Sequence, residues 1–150
     1  MSADLTGLLE RYTAAWAGIV TGPIASCWVP ERFSFYKAEE VPRFFTAWDE
    51  VEAYWRANEA LHEAVRLDFS GVRDLGFGLA VARMDWFIRF RASAQVGGAP
   101  FRHAGKAMAG WNHVLLRAEE TGHGLRFTGW SETPDAAPLY LTELYYRAAD

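Results

Sequence analysis

His113 is the residue of this chain that is best suited to moving a proton near neutral pH. It lies in the alternating segment from Ala107 to Leu115, in which every second residue is predicted to face the interior of a sheet. An inward imidazole would serve as a general base or a hydrogen-bond donor, and Tyr12 and Tyr54 would add phenol donors. Alternatively, His113 is a core histidine bonded to the Ser131 hydroxyl or to a backbone carbonyl, and the tyrosines only pack.

A set of aromatic, flexible and small side chains would form the wall of a pocket for a small, largely apolar molecule. These candidate ligand-binding residues are Trp16, Tyr36, Met84, Trp86, Ala109, Trp111, Phe127 and Ser131. A filled core would have bulky side chains on the inner face of the sheet. Small residues on that face leave room for a ligand. They are Ala80, Ala82, Ala107, Ala109 and Gly129. They equally suit a close approach of the first helix, and the sequence leaves both interpretations open.

Four long segments in the second half of the chain predict an antiparallel meander. They run over Ala64–Arg73, Gly78–Ala92, Ala104–Ala118 and Gly124–Thr133. At ~3.3 Å per residue the two longest strands would each extend ~50 Å if flat, whereas a compact domain of this length is only about 40 Å across. Such strands must curl or carry bulges. We therefore predict an α+β fold in which a curled antiparallel sheet wraps around N-terminal helices as a cystatin-like cone.

The residues before the strands have helical spacing. A first amphipathic helix that ends at Gly22-Pro23 is predicted by the stripe Leu5, Leu8, Leu9, Tyr12, Trp16 and Ile19. Pro23 suits the first position of a short second helix, and Phe33 to Tyr36 is typical of a brief strand. The segment Thr46 to Asp49 resembles a capping box in front of a third helix. A C-terminal helix is predicted from Leu139 to Ala149.

Strand pairing carries one face of the sheet from hairpin to hairpin if the turns centre near residues 74–75, 97–98 and 121. The interior face then comprises Val65, Leu67, Phe69, Ala80, Ala82, Met84, Trp86, Ile88, Phe90, Ala107, Ala109, Trp111, His113, Leu115, Leu125, Phe127, Gly129, Ser131 and Thr133. The outer face comprises Arg66, Asp68, Arg83, Asp85, Arg89, Lys106, Asn112 and Glu132 with the apolar Val81, Phe87, Met108, Val114, Leu116 and Trp130. That much outward apolar surface predicts a homodimer through the outer face. A one-residue bulge would exchange the two faces over part of the sheet.

The order of these elements, with Phe33-Ser-Phe-Tyr36 in the brief strand and Tyr54-Trp55 in the third helix, resembles the nuclear transport factor 2-like superfamily. The resemblance spans nearly the whole chain and implies a cone that is commonly dimeric through its outer sheet face. It also implies a range of activities, from polyketide cyclases, ketosteroid isomerases, scytalone dehydratases and limonene-epoxide hydrolases to members without catalysis. Asp85 is the residue most similar to the strand-borne catalytic carboxylate of the isomerases, although parity sends it outward to Arg66 or Arg83.

Composition and motifs exclude several function classes. A hydrophobic fraction of 51% is ample for one domain over residues 1–150, and a net charge of −4 without a basic run argues against nucleic acid. The chain has no apolar window long enough for a membrane span and no signal-peptide pattern at its start, so we expect a cytoplasmic protein. The lone Cys27 excludes an internal disulfide and a cysteine metal cluster, and no cofactor motif is present. We predict no metal and no cofactor.

The leading hypothesis is cofactor-independent acid–base chemistry of the isomerase, cyclase or dehydratase type, with His113 and a tyrosine transferring the proton. The rival hypotheses are a non-catalytic ligand-binding protein and a dimeric scaffold whose cone is filled by its own side chains. Closure of Asp85, Glu39 or Glu40 onto His113 would favour catalysis. The volume of the interior would decide whether the protein is a scaffold.

Overall fold

The computed structural model describes residues 2–134, with side chains from residue 4 onward. Its helices are α1 Ser2–Gly18, α2 Thr21–Ala25 and α3 Trp48–Leu61, with a short 3-10 helix at Pro30–Arg32. Its strands are β1 Phe35–Lys37, β2 His62–Gly76, β3 Leu79–Phe90, β4 Gln95–Val96, β5 Ala99–Pro100, β6 Ala107–Thr121 and β7 Gly124–Pro134. The main sheet has the order β1-β7-β6-β3-β2, and β4 and β5 form a separate hairpin. The α+β prediction is confirmed, and the predicted helix from Leu139 lies outside the described residues.

The long strands are interrupted, as their length requires. Pairing of β2 with β3 shifts register between Ser70 and Arg73, and pairing of β6 with β7 shifts between Arg117 and Ala118. Such bulges bend a strand and increase its twist. The curved sheet has α1 across its concave face, since α1 contacts both β2 and β7. The edge strand β1 pairs with β7 in parallel, so the sheet is mixed rather than purely antiparallel.

The three helices bury the apolar faces that their sequences predict. The predicted stripe of α1 is buried, with Leu5, Leu8, Leu9, Tyr12, Trp16 and Ile19 all in the core. The first helix ends earlier than predicted, at Gly18, because Ile19 has a left-handed φ of 56°. The capping box also differs, because the N-cap of α3 is Ala47, whose side chain cannot accept a hydrogen bond. The Glu50 carboxylate instead accepts hydrogen bonds from the backbone N–H groups of Thr46 and Ala47.

The segment after α2 joins the helical layer to the sheet. Phe127 donates its backbone N–H to the Cys27 carbonyl at 2.8 Å, and Val29 donates to the Phe127 carbonyl at 3.0 Å. Cys27 is buried, and burial raises the pKa of its thiol. This thiol is therefore protonated and packs as a small apolar group.

The predicted faces of β6 are wrong. Arg89 of β3 lies opposite Ala107 of β6, so the connection between these strands is centred on residue 98. The prediction centred it midway between residues 97 and 98, and this difference of half a residue exchanges the two faces of β6. The connection contains the small β4–β5 hairpin instead of a tight turn. The residues that face inward are Met108, Gly110, Asn112, Val114 and Leu116, opposite the inward residues of β3. The residues predicted inside, Ala107, Ala109, Trp111, His113 and Leu115, face outward.

The predicted faces of β7 are right before a bulge and wrong after it. Leu125 and Phe127 are buried against the helices, as predicted. Phe127 pairs with Ala118 but Gly129 pairs with Arg117, so Thr128 is an extra residue between them. After this bulge, the residues that face inward are Trp130 and Glu132, whereas Gly129, Ser131 and Thr133 face outward. A period of two cannot show the extra residue.

Candidate functional site

A cavity of about 470 Å³ lies between α1, α3 and the concave face of the sheet. Its apolar wall comprises Trp16, Ala38, Ala57, Leu61, Val65, Leu67, Met84, Trp86, Ile88, Phe90, Phe101, Met108 and Trp130. Its polar wall comprises Tyr12, Tyr36, Glu39, Glu40, Tyr54, Asn58, His62 and Glu132. The cone is therefore hollow, with a volume in the range of small-molecule sites.

The order of the strands places the carboxyl groups and the aliphatic side chains of the wall at opposite sides of the sheet. Glu39 and Glu40 follow β1, and Glu132 lies on β7, the strand that pairs with β1. Leu67 and Ile88 lie on β2 and β3, at the other side of the sheet. A ligand in the cavity would thus meet carboxyl groups on one side and aliphatic groups on the other.

Glu132 is held in a fixed orientation at the acidic side. One of its oxygens, Oε1, accepts a hydrogen bond from Trp130 Nε1 at 2.9 Å. The other, Oε2, accepts from the backbone N–H of Glu39 at 2.9 Å and from Asn112 Nδ2 at 3.2 Å. Desolvation nonetheless outweighs these donors, and it raises the pKa of Glu132 to about 7, with Glu40 and Glu39 adding to the shift. This carboxyl is half protonated near neutral pH.

Asn112 links two carboxyl groups from behind the cavity wall. Its side chain is fully buried, and Nδ2 donates to Glu39 Oε2 at 3.0 Å as well as to Glu132. Its Oδ1 has no hydrogen-bond partner. Because one amide group joins the loop after β1 to β7, Asn112 fixes the separation of Glu39 and Glu132.

Three tyrosines add phenol donors to the same cavity. Burial raises the pKa of Tyr12, Tyr36 and Tyr54, and the nearby charge of Glu132 raises each of them further. The Tyr54 hydroxyl donates a hydrogen bond to Glu40 Oε1. All three phenols stay protonated at neutral pH. Since Tyr54 already donates to Glu40, Tyr12 and Tyr36 are the donors left for a developing negative charge.

His62 joins α3 to β2 and lines the cavity. It is buried, its ring stacks on Phe90 at 5.1 Å, and its Nδ1 has no hydrogen-bond partner. Burial lowers the pKa of this imidazole, so that it is neutral near pH 7. His62 is therefore a second polar group with unused hydrogen-bonding capacity at the wall.

No protein-family model and no curated protein sequence matches the chain. Solved structures do match it: a candidate aromatic ring hydroxylase from Novosphingobium aromaticivorans superposes with a TM-score of 0.70 at 9% identity, over 89% of this chain and 87% of that one. A candidate dehydratase of the nuclear transport factor 2-like family from Streptomyces avermitilis gives 0.69 at 10% identity, over 89% and 95% of the two chains. A ketosteroid isomerase-like protein from Catenulispora acidiphila, solved with trimethylamine, gives 0.60 at 12% identity, over 84% and 83%. The chain has the nuclear transport factor 2-like fold.

Six of the predicted site residues line the cavity of this fold. They are Tyr12, Trp16, Tyr36, Tyr54, Met84 and Trp86. Phe127 lies beneath the wall, where its ring packs against Tyr12 with centroids 5.0 Å apart.

The remaining predicted site residues lie on the outer face. His113 is exposed and packs edge-on against Trp111, with ring centroids 5.3 Å apart, and Ala109 shares their face. Ser131 is also turned outward, by the bulge at Thr128. The inward orientation predicted for these four residues is wrong, so a mechanism through His113 in the cavity has no structural support. Asp85 points outward as parity predicted, and Arg83 donates to it at 2.9 Å and 3.1 Å.

Sequence reasoning missed three polar residues of this cone, Glu132 and His62 in the cavity wall and Asn112 behind it. The predicted parity places Glu132 and Asn112 on the outer face, and His62 is not among the predicted site residues. One available signal was the C-terminal half of β6, where the predicted parity also sends the charged Arg117 and Glu119 inward. The opposite parity buries Ala118 instead, and it brings Asn112 inside with it.

Gly110 gives Trp86 its place in the wall. A side chain added at Gly110 would put its Cβ 2.7 Å from Trp86 Cζ2, closer than real Cβ contacts come. The indole therefore lies over the bare backbone of β6. The small residue that shapes the inner face of β6 is Gly110, not the predicted Ala107 or Ala109.

Within residues 2–134, no group of three or more histidine, cysteine, aspartate or glutamate side chains is arranged to hold a metal ion. Among the same residues, no helix has the length and hydropathy that crossing a bilayer requires.

Proposed function

We propose that this protein binds a small, largely apolar molecule in the cavity and moves a proton on it without a cofactor, in a reaction of the isomerase, cyclase or dehydratase type. The observation that carries the proposal is Glu132, a carboxyl group in a mostly apolar cavity whose pKa burial raises to about 7. A general base works best when its pKa lies near the operating pH. Perturbed carboxyl groups in a cavity are also characteristic of functional sites.

The surrounding groups give Glu132 the partners that this chemistry needs. The ionised carboxylate would take a proton from the carbon next to a substrate carbonyl, and the electron pair of the broken C–H bond would move toward the carbonyl oxygen. A protonated phenol, Tyr12 or Tyr36, would donate a hydrogen bond to that oxygen. Return of the proton to a different carbon gives an isomer, and loss of a neighbouring hydroxyl as water gives a dehydrated product. Asn112 is a positioning residue that holds the base.

The similar structures support the class of activity. One of them is described as a candidate dehydratase, one as a candidate aromatic ring hydroxylase, and a third holds the small molecule trimethylamine. A shared fold does not transfer a reaction, so the proposal depends on Glu132 and on the cavity.

The test is exchange of protons between solvent and ligand, which reveals base catalysis before the natural product is known. A panel of small cyclic ketones is incubated with the protein in D2O, and loss of the proton signal next to the carbonyl is followed by NMR. We expect exchange above the buffer rate for ketones that bind, rising with pH through about 7 as Glu132 ionises. Glu132→Gln should slow it by about 100-fold or more, the usual contribution of a general base.

Glu119→Gln is the matched control, because Glu119 is a surface carboxylate paired with Arg32 away from the cavity. It should leave exchange unchanged. If ketones bind, as seen by NMR shifts of the tryptophan indoles, but none exchanges faster than in buffer, catalysis by Glu132 is refuted.

A non-catalytic binding protein is the second candidate. A contact of Asp85, Glu39 or Glu40 with His113 would have favoured catalysis. These carboxylates instead bond to Arg83, Asn112 and Tyr54, and this favours a binding protein. Binding without exchange in the same experiment would establish this function.

We also propose that the protein forms a homodimer through its outer sheet face, although that face is less apolar than predicted because Val114, Leu116 and Trp130 are buried inside. Phe87 and Trp111 remain outside and are covered by arginine side chains of the same chain. Light scattering after size exclusion should give twice the chain mass, and Trp111→Glu should give the monomer. A wild-type protein that elutes as a monomer at micromolar concentration contradicts the dimer.

A further inference from the structure

The carboxyl groups of the cavity have no cationic partner in the described part of the chain. Glu39, Glu40 and Glu132 line the cavity, and the same lining contains no lysine and no arginine. Their hydrogen-bond donors are neutral amide, indole, phenol and backbone groups. In contrast, four carboxylates on the surface pair with arginines, namely Glu50, Glu52, Asp85 and Glu119. The cavity therefore holds acidic groups for which the described residues supply no counter-ion.

His62, the basic residue of the lining, does not neutralise the acidic groups of the cavity. His62 is 6% exposed, and its burial lowers the pKa of the imidazole, which is neutral at pH 7. Its Nδ1 and the indole Nε1 of Trp86, another lining residue, are both buried without a hydrogen-bond partner. Buried polar groups in folded proteins are nearly always satisfied, so unpaired ones on a cavity wall indicate positions that a ligand fills.

Aromatic rings line the same cavity as the acidic groups. The aromatic rings in the lining are those of Tyr12, Trp16, Tyr36, Tyr54, Trp86, Phe90, Phe101 and Trp130. The face of an aromatic ring attracts a cation, and tryptophan does so most strongly. Aromatic faces combined with carboxylates form the chemical environment that recognises ammonium groups. An anionic ligand would find neither a lysine nor an arginine here.

We propose that the ligand of this cavity carries a cationic nitrogen, as an ammonium or quaternary ammonium group, on an apolar body. The proposal rests on the proposed function, because it names the ligand class of the same cavity. The nitrogen would lie beside Glu39 and Glu132 on the β1–β7 side. The apolar body would lie against Leu67 and Ile88 on the β2–β3 side.

Binding of a cation should be linked to ionisation of Glu132. A positive charge beside a carboxyl favours its ionised form, so the cation lowers the pKa of Glu132 from about 7 and expels its proton. The affinity for a permanent cation must then rise with pH through this range. A neutral ligand of the same shape gains nothing from ionisation of Glu132.

The experiment compares two probes that have the same shape and differ in charge. Phenyltrimethylammonium and tert-butylbenzene are titrated into the full chain at about pH 5.5 and about pH 8.5, with tryptophan fluorescence as the readout. At about pH 8.5 we expect the cation to bind at least roughly tenfold more tightly than the neutral probe. At about pH 5.5 most of this difference in affinity between the two probes should be lost. Glu132→Gln should remove the pH dependence, and Glu39→Gln, a second variant for the case that the first does not fold, should weaken the cation alone. Glu119→Gln should behave as wild type.

Equal binding of the two probes at about pH 8.5, tighter binding of the neutral probe, or binding of neither overturns the proposal. The ketone exchange assay separates this failure from failure of the proposed function. If ketones still exchange through Glu132 while the cation has no advantage, the ligand is neutral and only the cation proposal is lost. If the cation is preferred but no ketone exchanges, the ligand class stands and the catalytic function is lost.

Discussion

Asp85 and Glu132 are carboxyl groups on opposite faces of one sheet, and their surroundings move their pKa values in opposite directions. Asp85 lies on the outer face, where Arg83 donates two hydrogen bonds to it and lowers its pKa. Glu132 accepts three hydrogen bonds from neutral donors on the inner face, yet burial raises its pKa to about 7. Hydrogen bonds alone therefore do not keep a carboxyl group ionised. A buried carboxyl group without a counter-charge is poised to exchange a proton, and one paired with arginine on the surface is not.

The largest expected effect of this difference is on the pH dependence of stability. The native state binds more protons than the unfolded state between the usual pKa of Glu132, 4.5, and about 7, so the free energy of unfolding must fall as pH rises through this range. Over the whole range the loss is roughly 3 kcal/mol. Urea unfolding of wild type and Glu132→Gln at several pH values isolates this contribution as the difference between the two curves.

Asp85→Asn is the contrasting variant in that experiment. The pKa of Asp85 is lowered in the folded protein, so this side chain stabilises the protein above its usual pKa and loses that contribution as pH falls. Because the group is exposed, the effect should be small and opposite in sign to that of Glu132. A wild-type curve parallel to that of Glu132→Gln would show that Glu132 titrates normally.

A smaller expected effect comes from two neighbouring residues of β6 that point to opposite faces. Gly110→Ala places a methyl group against Trp86 on the inner face, and we expect a loss of about 1–3 kcal/mol together with weaker probe binding. Ala109→Phe adds a much larger side chain on the outer face and should leave probe affinity unchanged. Gly122→Ala, at a position with no atom near the added methyl, is the control for the glycine substitution. If Ala109→Phe blocked probe binding and Gly110→Ala did not, the observed faces of β6 would be reversed.

The sequence was sufficient to predict the elements, because each depends on local spacing. The apolar stripe of α1, the four long strands and the need for bulges all follow from patterns within single segments. The faces of β6 and β7 do not, because they depend on the centre of one connection and on one extra residue, Thr128. The middle of β6 is apolar on both faces, with Val114 and Leu116 inside and Trp111 and Leu115 outside, so alternation cannot distinguish them.

The candidate site was predictable where it depends on the helices and on β1, β2 and β3. Tyr12, Trp16 and Tyr54 are placed by helical spacing, and Met84 and Trp86 by a strand whose alternation is unambiguous. The prediction places Glu132 on the wrong face because the extra residue Thr128 reverses the alternation of β7, and the outward placement agrees with the rule that a charged residue in a strand usually faces water. A carboxyl group that acts inside a cavity departs from that rule. Its charge therefore argues against the inward position that it occupies.

Cys27 is a natural reporter of local opening between the segment after α2 and the sheet. It is the single cysteine of the chain, and its backbone carbonyl holds the segment after α2 to β7. A thiol reagent reaches this buried side chain only when the structure around it opens, so the labelling rate reports how often the segment after α2 separates from β7. A ligand that bridges the two layers would lengthen the interval between openings. The labelling rate of Cys27 would thus report whether a ligand occupies the cavity, without an assay for the reaction.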